Sequence, residues 1–459
     1  MVKKGDDGSK GPKGKGILGL MLILCIVLLC SSAEYQSLAS LPGHVQLVSG
    51  QEVKAIMDAL PFRVSVRTRE EANLLINGEA VTPEWLTVSG APLKVQATEP
   101  GIVQLEFRLL GLIPFHRLTV EALDPVEIMP GGHSIGVVIR SDGIMVIDHV
   151  PVQGSAGGRF PGREAGIRVG DLIMAADGQP VSSKDELAGR VESAGRAGAP
   201  LVLQVRRDVQ TLEVTVFPQY DEVERAYRIG LLVRDGAAGV GTLTAYYPEK
   251  MRFVALGHEI SDARSQQLIP MKEGSIVLAD VSGISGAQRG VPGEKIGVFS
   301  DDEVLGIIDE NTSLGLFGHL RFLPEGDHLD GPVRIALRHE VQPGPAEMVT
   351  VIRGEQIQRF AVEIERVRPQ NQPEQKGMVV RITDPELIEV TGGIVQGMSG
   401  SPILQDGRFV GAVTHVFVND PTRGYAVYAE WLARELGVLL SESRESPVPL
   451  RGIAAFVSR

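Results

Sequence analysis

The sequence predicts a mainly β protein of several domains that ends in a chymotrypsin-like double β-barrel. Three observations point there. The chain has 459 residues, enough for two to four domains with separate cores. Its 54 glycines and 28 prolines break it into short apolar runs with turns between them, the pattern of sandwiches and barrels. Helical patterning is confined to about residues 184–194 and 429–436. Apolar residues at 43% and charged residues at 22% are ordinary for a globular chain. The net charge of -12 argues against general nucleic-acid binding, which needs clustered Lys and Arg.

The elements follow in order. Residues 1–33 join a basic stretch (Lys3, Lys4, Lys10, Lys13, Lys15) to an uncharged apolar run, Ile17 to Cys30, and so read as a secretory signal or short membrane anchor. The basic flank should stay inside, leaving the rest of the chain outside the cytoplasmic membrane. Both cysteines, Cys25 and Cys30, lie in this run, so no disulfide or thiolate chemistry is available beyond it. Residues 34–124 alternate apolar and polar side chains around the Asn77-Gly78 and Pro100-Gly101 turns and form a β-rich region without evident chemistry.

Residues 125–218 carry Ala165-Gly166-Ile167-Arg168-Val169-Gly170-Asp171-Leu172-Ile173, then Ala176-Asp177-Gly178, then a helical stretch and a strand. This string resembles a PDZ domain. The resemblance implies a groove for an extended peptide, whose terminal carboxylate would meet N–H groups at Ser134, Ile135, Gly136 and Val137. A β-rich spacer whose glycines only make turns is the plainer alternative.

Residues 221–459 hold the chemistry. Gly397-Met398-Ser399-Gly400-Ser401-Pro402 is a turn of the kind that presents a nucleophilic serine in chymotrypsin-type peptidases, with the N–H groups of Gly397 and Ser399 as the oxyanion site. An ordinary Gly/Ser turn is the alternative, and Ser401 is a second hydroxyl within it. A serine needs a base. His258 follows a strand and a glycine, roughly 140 residues before Ser399, as two six-stranded barrels require. His319 has a similar setting and ranks second; His415, on the strand after the turn, reads as a wall residue. For the acid, Asp280 falls where the chymotrypsin order would place it, among several other aspartates. No His-x-x-x-His or phosphate-binding loop is present, so neither a metal nor another cofactor is expected.

Taken together, the apolar segment, β region, PDZ signature, Ala255-Leu256-Gly257-His258, Thr391 to Pro402 and Gly411 to Pro421 resemble the stage IV sporulation protein B peptidases of endospore-forming bacteria. The resemblance implies Ser399 as nucleophile, His258 as base and Asp384 as acid. Asp384 stands only 15 residues before Ser399, unlike the chymotrypsin order, and Asp280 is kept beside it. Glu259 stands where a small residue is expected. The resemblance further implies a signalling protease in the space between forespore and mother cell. It would cleave the exported part of a membrane-bound regulatory complex, and itself, and so trigger intramembrane proteolysis and a late sigma factor. Its partners would be that substrate, the membrane through its N-terminal segment, and a peptide ligand of the PDZ domain, its own N-terminal region being one candidate. Two other readings are a non-catalytic PDZ adaptor and an envelope quality-control protease, although the latter usually places PDZ after the peptidase.

Overall fold

The computed structural model describes residues 43–439, apart from 51, 58–62, 89–91, 156, 263, 300–302 and 325–330. The basic and apolar segment at residues 1–33 lies outside that range. Among the described residues no helix is long and apolar enough to cross a membrane. The chain divides into two compact units at Pro125 and Val126.

In the N-terminal unit, β1 (His44–Val48), β2 (Val64–Thr68), β3 (Leu86–Val88), β4 (Gly101–Leu109) and β5 (Ile113–Leu123) form one sheet in the order β1-β5-β4-β2-β3. A second sheet takes Glu52–Met57, Leu74–Ile76, Glu79–Ala80 and Leu93–Ala97. Alternation along Leu93–Ala97 turns Leu93, Val95 and Ala97 inward, where they meet Leu47, Val66, Leu105 and Phe107 in one core.

The second unit begins with β6 (Ser134–His149), a strand of 16 residues. The PDZ elements follow: β7 (Leu172–Ala176), α1 (Lys184–Arg196), β8 (Leu201–Arg207) and β9 (Gln210–Val216). Ser183 caps α1, accepting the Glu186 N–H, and Leu187 and Val191 on its inner face join Ile173, Leu203 and Val205 in a separate core. The chain then returns as β10 (Leu231–Tyr247), antiparallel to β6 along nearly its whole length.

Beyond β10 come β11 (Arg252–Ala255), β12 (Met271–Leu278), a hairpin of β13 (Asp280–Ser285) and β14 (Glu294–Val298), then β15 (Val304–Thr312) and β16 (Gly315–Leu320). The pairings β6–β10–β11–β16–β15–β12–β6 close the first six-stranded barrel. The second barrel uses β17 (Gly344–Val351), β18 (Ile357–Val367), β19 (Met378–Ile382), β20 (Pro402–Gln405), β21 (Arg408–Phe417) and β22 (Asp420–Tyr428), closed as β17-β18-β19-β22-β21-β20. Helix α2 (Pro385–Thr391) precedes the Gly397–Ser401 turn, and α3 (Ala429–Glu435) ends the described chain. Both barrels follow one winding: three consecutive strands as neighbours, then the other three in reverse order. The expected mainly β architecture with two barrels is therefore present.

The domain boundaries read from sequence are redrawn. Residues 134–141 of β6 pair with β12 on one side and β10 on the other, inside the first barrel. The PDZ domain is thus inserted between the first and second strands of the peptidase's first barrel, and β6 and β10 run through both. Hydropathy could not show this, since a strand shared by two cores carries one unbroken apolar run.

Candidate active site

The nucleophile turn is built on two glycines. Gly397 (φ +92°) and Gly400 (φ +90°) occupy backbone conformations unfavourable for other residues. A side-chain carbon on Gly400 would lie 2.5 Å from both the Leu256 nitrogen and the Thr242 oxygen, so the turn can seat against the first barrel only with glycine there. That barrel grips the turn through Thr242 on β10. The Thr242 hydroxyl donates to the Gly397 carbonyl at 2.7 Å, and its N–H donates to the Ser399 carbonyl at 3.1 Å. Within the turn, Met398 N–H bonds Val395 and Gly400 N–H bonds Val413. Neither the Gly397 nor the Ser399 N–H is bonded to another described residue, as donors meant for an oxyanion must be. Ser399 is half-buried, and its Oγ donates to the Thr414 carbonyl at 3.1 Å. Ser401 is fully buried beneath it and cannot reach a substrate.

His258 belongs to the first barrel and is half-buried. Leu256 (φ +70°) and Gly257 (φ +73°) both adopt the left-handed conformation and turn the chain sharply at the end of β11. A bulky residue held there is unusual, and the Leu256 side chain fills the space that a side chain on Gly241 would need. Gly257 packs against Thr414, where an added carbon would be 3.1 Å from the methyl group. Ser399 and Gly257, the residue before His258, therefore both approach Thr414. His258 Nδ1 lies 2.8 Å from the Glu259 carbonyl. A carbonyl can only accept, so Nδ1 carries the proton and Nε2 is left as the basic nitrogen. The ring centroid of His415 is 5.3 Å from that of His258. Burial, and then the proximity of His258 and Lys376, hold His415 down at about 4, so it stays neutral at physiological pH.

The acids expected from sequence are elsewhere. Asp384 is the N-cap of α2: its Oδ1 accepts from the Glu386 and Leu387 N–H groups at 3.0 and 3.1 Å, and its Oδ2 from Ala361 N–H at 3.2 Å. No contact joins it to His258. Asp280 is exposed at the start of β13, opposite Val298, and makes no recorded contact with the histidine either. Near the end of β15, Asn311 holds the histidine loop instead. Its carboxamide brackets Ile260, accepting from the N–H at 2.9 Å and donating to the carbonyl at 3.0 Å, and so pins the histidine loop. Glu259 accepts from Gln375 of the second barrel, which also donates to the Ser313 carbonyl. Sequence reading passed over Asn311 and Gln375 because an amide has no catalytic signature. As a cap, Asp384 should tolerate Asn, which keeps the accepting oxygen, whereas Asp384→Ala should cost about 1 kcal/mol in denaturant unfolding. A carboxylate that orients the histidine would instead lose roughly 10⁴-fold in kcat in Asp384→Asn, which a peptide-hydrolysis assay reads directly.

His319 lies on β16 opposite Arg252, toward the far end of β11 from His258, and pairs with Asp309 at 2.6 Å on the exposed surface. It is not part of the cleft.

Ser134, Ile135, Gly136 and Val137, expected to form a carboxylate loop, lie in β6 with both strand edges filled. Ile135 faces Gly241 on one side and Leu278 on the other, and no edge is free for a peptide. A groove of about 440 Å³ opens instead between α1 (Leu187, Val191) and the segment Ile229-Gly230-Leu231 leading into β10. That segment repeats the apolar-Gly-apolar pattern of Ile135-Gly136-Val137, so the motif alone was ambiguous; the position of α1 decides between the two copies.

Behind the nucleophile turn lies a buried cation. Lys295 on β14 is only 4% exposed. Its Nζ donates to Thr350 Oγ1 at 2.9 Å and Ser134 Oγ at 3.2 Å, and Ser401 Oγ donates to the same Thr350 hydroxyl at 3.1 Å. The Lys295 stem packs against Gly397, where an added carbon would lie 3.1 Å from its Cβ. Burial without a counter-charge pushes its pKa down to about 7. Between there and the ordinary value of 10.5, the unfolded chain binds a proton that the folded chain does not. Lys295's contribution to stability therefore rises with pH across that window, by up to about 1.4 kcal/mol per unit. Lys295→Met should remove this slope and stabilise the protein near pH 7. Denaturant midpoints at pH 7 and 9 measure both effects.

Two barrels of this winding, a hydroxyl turn before a strand of the second and an imidazole just after a strand of the first, are the parts a serine peptidase needs. Residues 225–433 match the SpoIVB peptidase S55 family and residues 134–217 match the PDZ domain. The chain thus carries a domain that matches the S55 peptidases and a domain that matches PDZ domains, a combination that supports a serine peptidase. Among curated proteins, a Vibrio cholerae serotype O1 protein named as a zinc metalloprotease is 29% identical over 92 residues. The match spans 20% of this chain and 19% of that relative's length. No group of three His, Cys, Asp or Glu side chains among the described residues could hold a metal. The Rv3671c protease of M. tuberculosis in its active form aligns at 13% identity and TM-score 0.28, over 45% of this chain and 75% of that one. The PDZ domain of the SdrC-like protein of Listeria monocytogenes aligns at 19% identity and TM-score 0.17, over 20% of this chain and 90% of that one.

Proposed function

We propose that this peptidase is an exported signalling endopeptidase that uses Ser399 as nucleophile and His258 as general base. The reading is carried by the Thr414-His415 segment, which Ser399 Oγ meets at the Thr414 carbonyl and the His258 ring meets at His415. In the mechanism, Ser399 Oγ leaves the Thr414 carbonyl by rotation about its side-chain bond and gives its proton to His258 Nε2 as it attacks the scissile carbonyl. The N–H groups of Gly397 and Ser399 receive the oxyanion, and the imidazolium returns the proton to the leaving amine. The Glu259 carbonyl, rather than a carboxylate, steadies Nδ1–H. This neutral partner accepts less charge than an aspartate and suits an enzyme of modest turnover acting on few bonds.

The apolar run at residues 17–30 supports attachment to a membrane, with the peptidase outside the cytoplasm. The family match supports a substrate of the kind implied above, the exported part of a membrane-bound regulator, cut during sporulation in the space around the forespore. The groove beside α1 accepts an extended segment of the substrate or of the chain itself. A fluorophosphonate probe should label the purified protein on the peptide containing Ser399. In sporulating cells Ser399→Ala should block processing of the regulator. Absence of labelling together with intact processing in that variant would leave a binding protein rather than an enzyme.

A further inference from the structure

The tip of the β4–β5 hairpin takes no part in the peptidase or PDZ sites. Leu112 N–H bonds the Leu109 carbonyl at 3.1 Å, and Leu110 (φ +52°) and Gly111 (φ +75°) are both left-handed. That is a type I′ turn, which favours Asn-Gly or Asp-Gly. Elsewhere the same chain uses such pairs at left-handed turns: Asn77-Gly78, Asp177-Gly178 and Asp406-Gly407. A leucine in this conformation costs roughly 1–2 kcal/mol. It also stands in water: Leu110 is 60% exposed, Leu112 81% and Ile113 58%. Both penalties fall on the isolated protein, and an apolar medium around the tip would offset them.

The surroundings point to a lipid surface. From Phe107 to Val120 the chain has no acidic residue, and Arg108 and Arg117 flank the tip. Arg63 adjoins it, its carbonyl accepting the Leu110 N–H at 2.9 Å. The Trp85 ring meets the guanidinium groups of both Arg67 and Arg108, at 4.6 and 4.3 Å. An apolar point ringed by arginines, with a tryptophan behind it, suits the boundary between acyl chains and anionic headgroups.

Topology supplies a second, independent argument. β1 runs parallel to β5, with His44 opposite Thr119 and the Gly43 carbonyl accepting the Thr119 N–H at 2.9 Å. Because β5 starts at the tip, the chain enters β1 from the tip side. The stretch between the apolar run and Gly43 can span no more than about 40 Å. That reach allows one lipid surface to meet both the apolar run and the hairpin tip.

We propose that the Leu110–Ile113 tip inserts into the lipid interface beside the N-terminal apolar segment, as a second attachment that seats the N-terminal unit on the membrane. This rests on the reading that residues 17–30 enter a bilayer. The full chain is reconstituted in phosphatidylcholine–phosphatidylglycerol vesicles with an environment-sensitive fluorophore at one cysteine. Leu112→Cys in a Cys25→Ser, Cys30→Ser background reports the tip, and Cys25 in Cys30→Ser reports the apolar segment. Val209→Cys, at a site 96% exposed, serves as an aqueous control in the first background.

The tip label should brighten at least about twofold and be quenched by nitroxide lipid, while the Val209 label stays open to aqueous iodide. Leu110→Asn, which restores the preferred turn, should keep the fold and weaken that quenching. A quenched Cys25 label beside an iodide-accessible tip label overturns the proposal and leaves the anchor reading standing. Failure of both labels overturns the two together. A brightened tip label that nitroxide lipid does not quench overturns it in favour of a protein partner or second copy, and equal lipid quenching at positions 112 and 209 overturns it as non-specific adhesion.

Discussion

Ser399→Ala should lower peptide hydrolysis by a factor on the order of 10⁶ and leave the thermal unfolding transition in place. The size follows from the role: without the hydroxyl no acyl-enzyme forms, and what remains comes from substrate binding and the oxyanion donors. The fold should survive because the Ser399 side chain makes one recorded hydrogen bond, to the Thr414 carbonyl, while the turn is held by backbone groups and Thr242. Alanine preserves the Ser399 N–H, so binding of a boronate-free substrate analogue should persist while turnover is lost. Ser401→Ala makes the contrast. Ser401 is buried on Thr350, so its loss should register in stability before activity. Full hydrolysis by Ser399→Ala would show that the hydroxyl attacking the substrate lies elsewhere.

His258→Ala should be nearly as damaging, again on the order of 10⁶ in kcat, because base and nucleophile act as one unit. The double variant with Ser399→Ala should be little worse than either single one. That non-additivity, read from kcat of the three variants, distinguishes a shared proton transfer from two separate structural losses. His415→Ala in the same assay should fall far less: His415 is neutral and half-buried beside His258, a wall residue and not a proton carrier. If His415→Ala proved the more damaging of the two, the assignment of base and wall would have to be exchanged.

The Gly397–Ser401 turn and the strand end that carries His258 were legible because their signals are local. Two glycines in left-handed conformations, a serine between them and a histidine just after a strand and glycine can be read within six residues of each site. The partner of the histidine was not legible. Asp384 carried the expected residue type at the position the family resemblance implies, yet its oxygens are engaged with the first turn of α2 and with Ala361. Asn311 and the Glu259 carbonyl hold the histidine loop in its place, and a main-chain oxygen leaves no mark on a sequence. Lys295 was equally hidden: on an alternating strand a lysine reads as an outward residue, until β14 is found against the nucleophile turn with its side chain directed inward.

What the sequence alone determined is the set of local preferences: short strands, the turns between them, the presence of PDZ and peptidase signatures, and a hydroxyl and an imidazole with roughly 140 residues between them. The tertiary structure alone decided which edges those strands fill. Ile135-Gly136-Val137 and Ile229-Gly230-Leu231 share a pattern, but the first is paired on both sides and the second borders a groove under α1. The physical reason is that a strand's hydrogen-bonding edges are satisfied by partners far away in the chain, so whether an edge is closed or free depends on non-local pairing. The same holds for the insertion of one domain between two barrel strands, where β6 and β10 carry a single apolar pattern through two different cores.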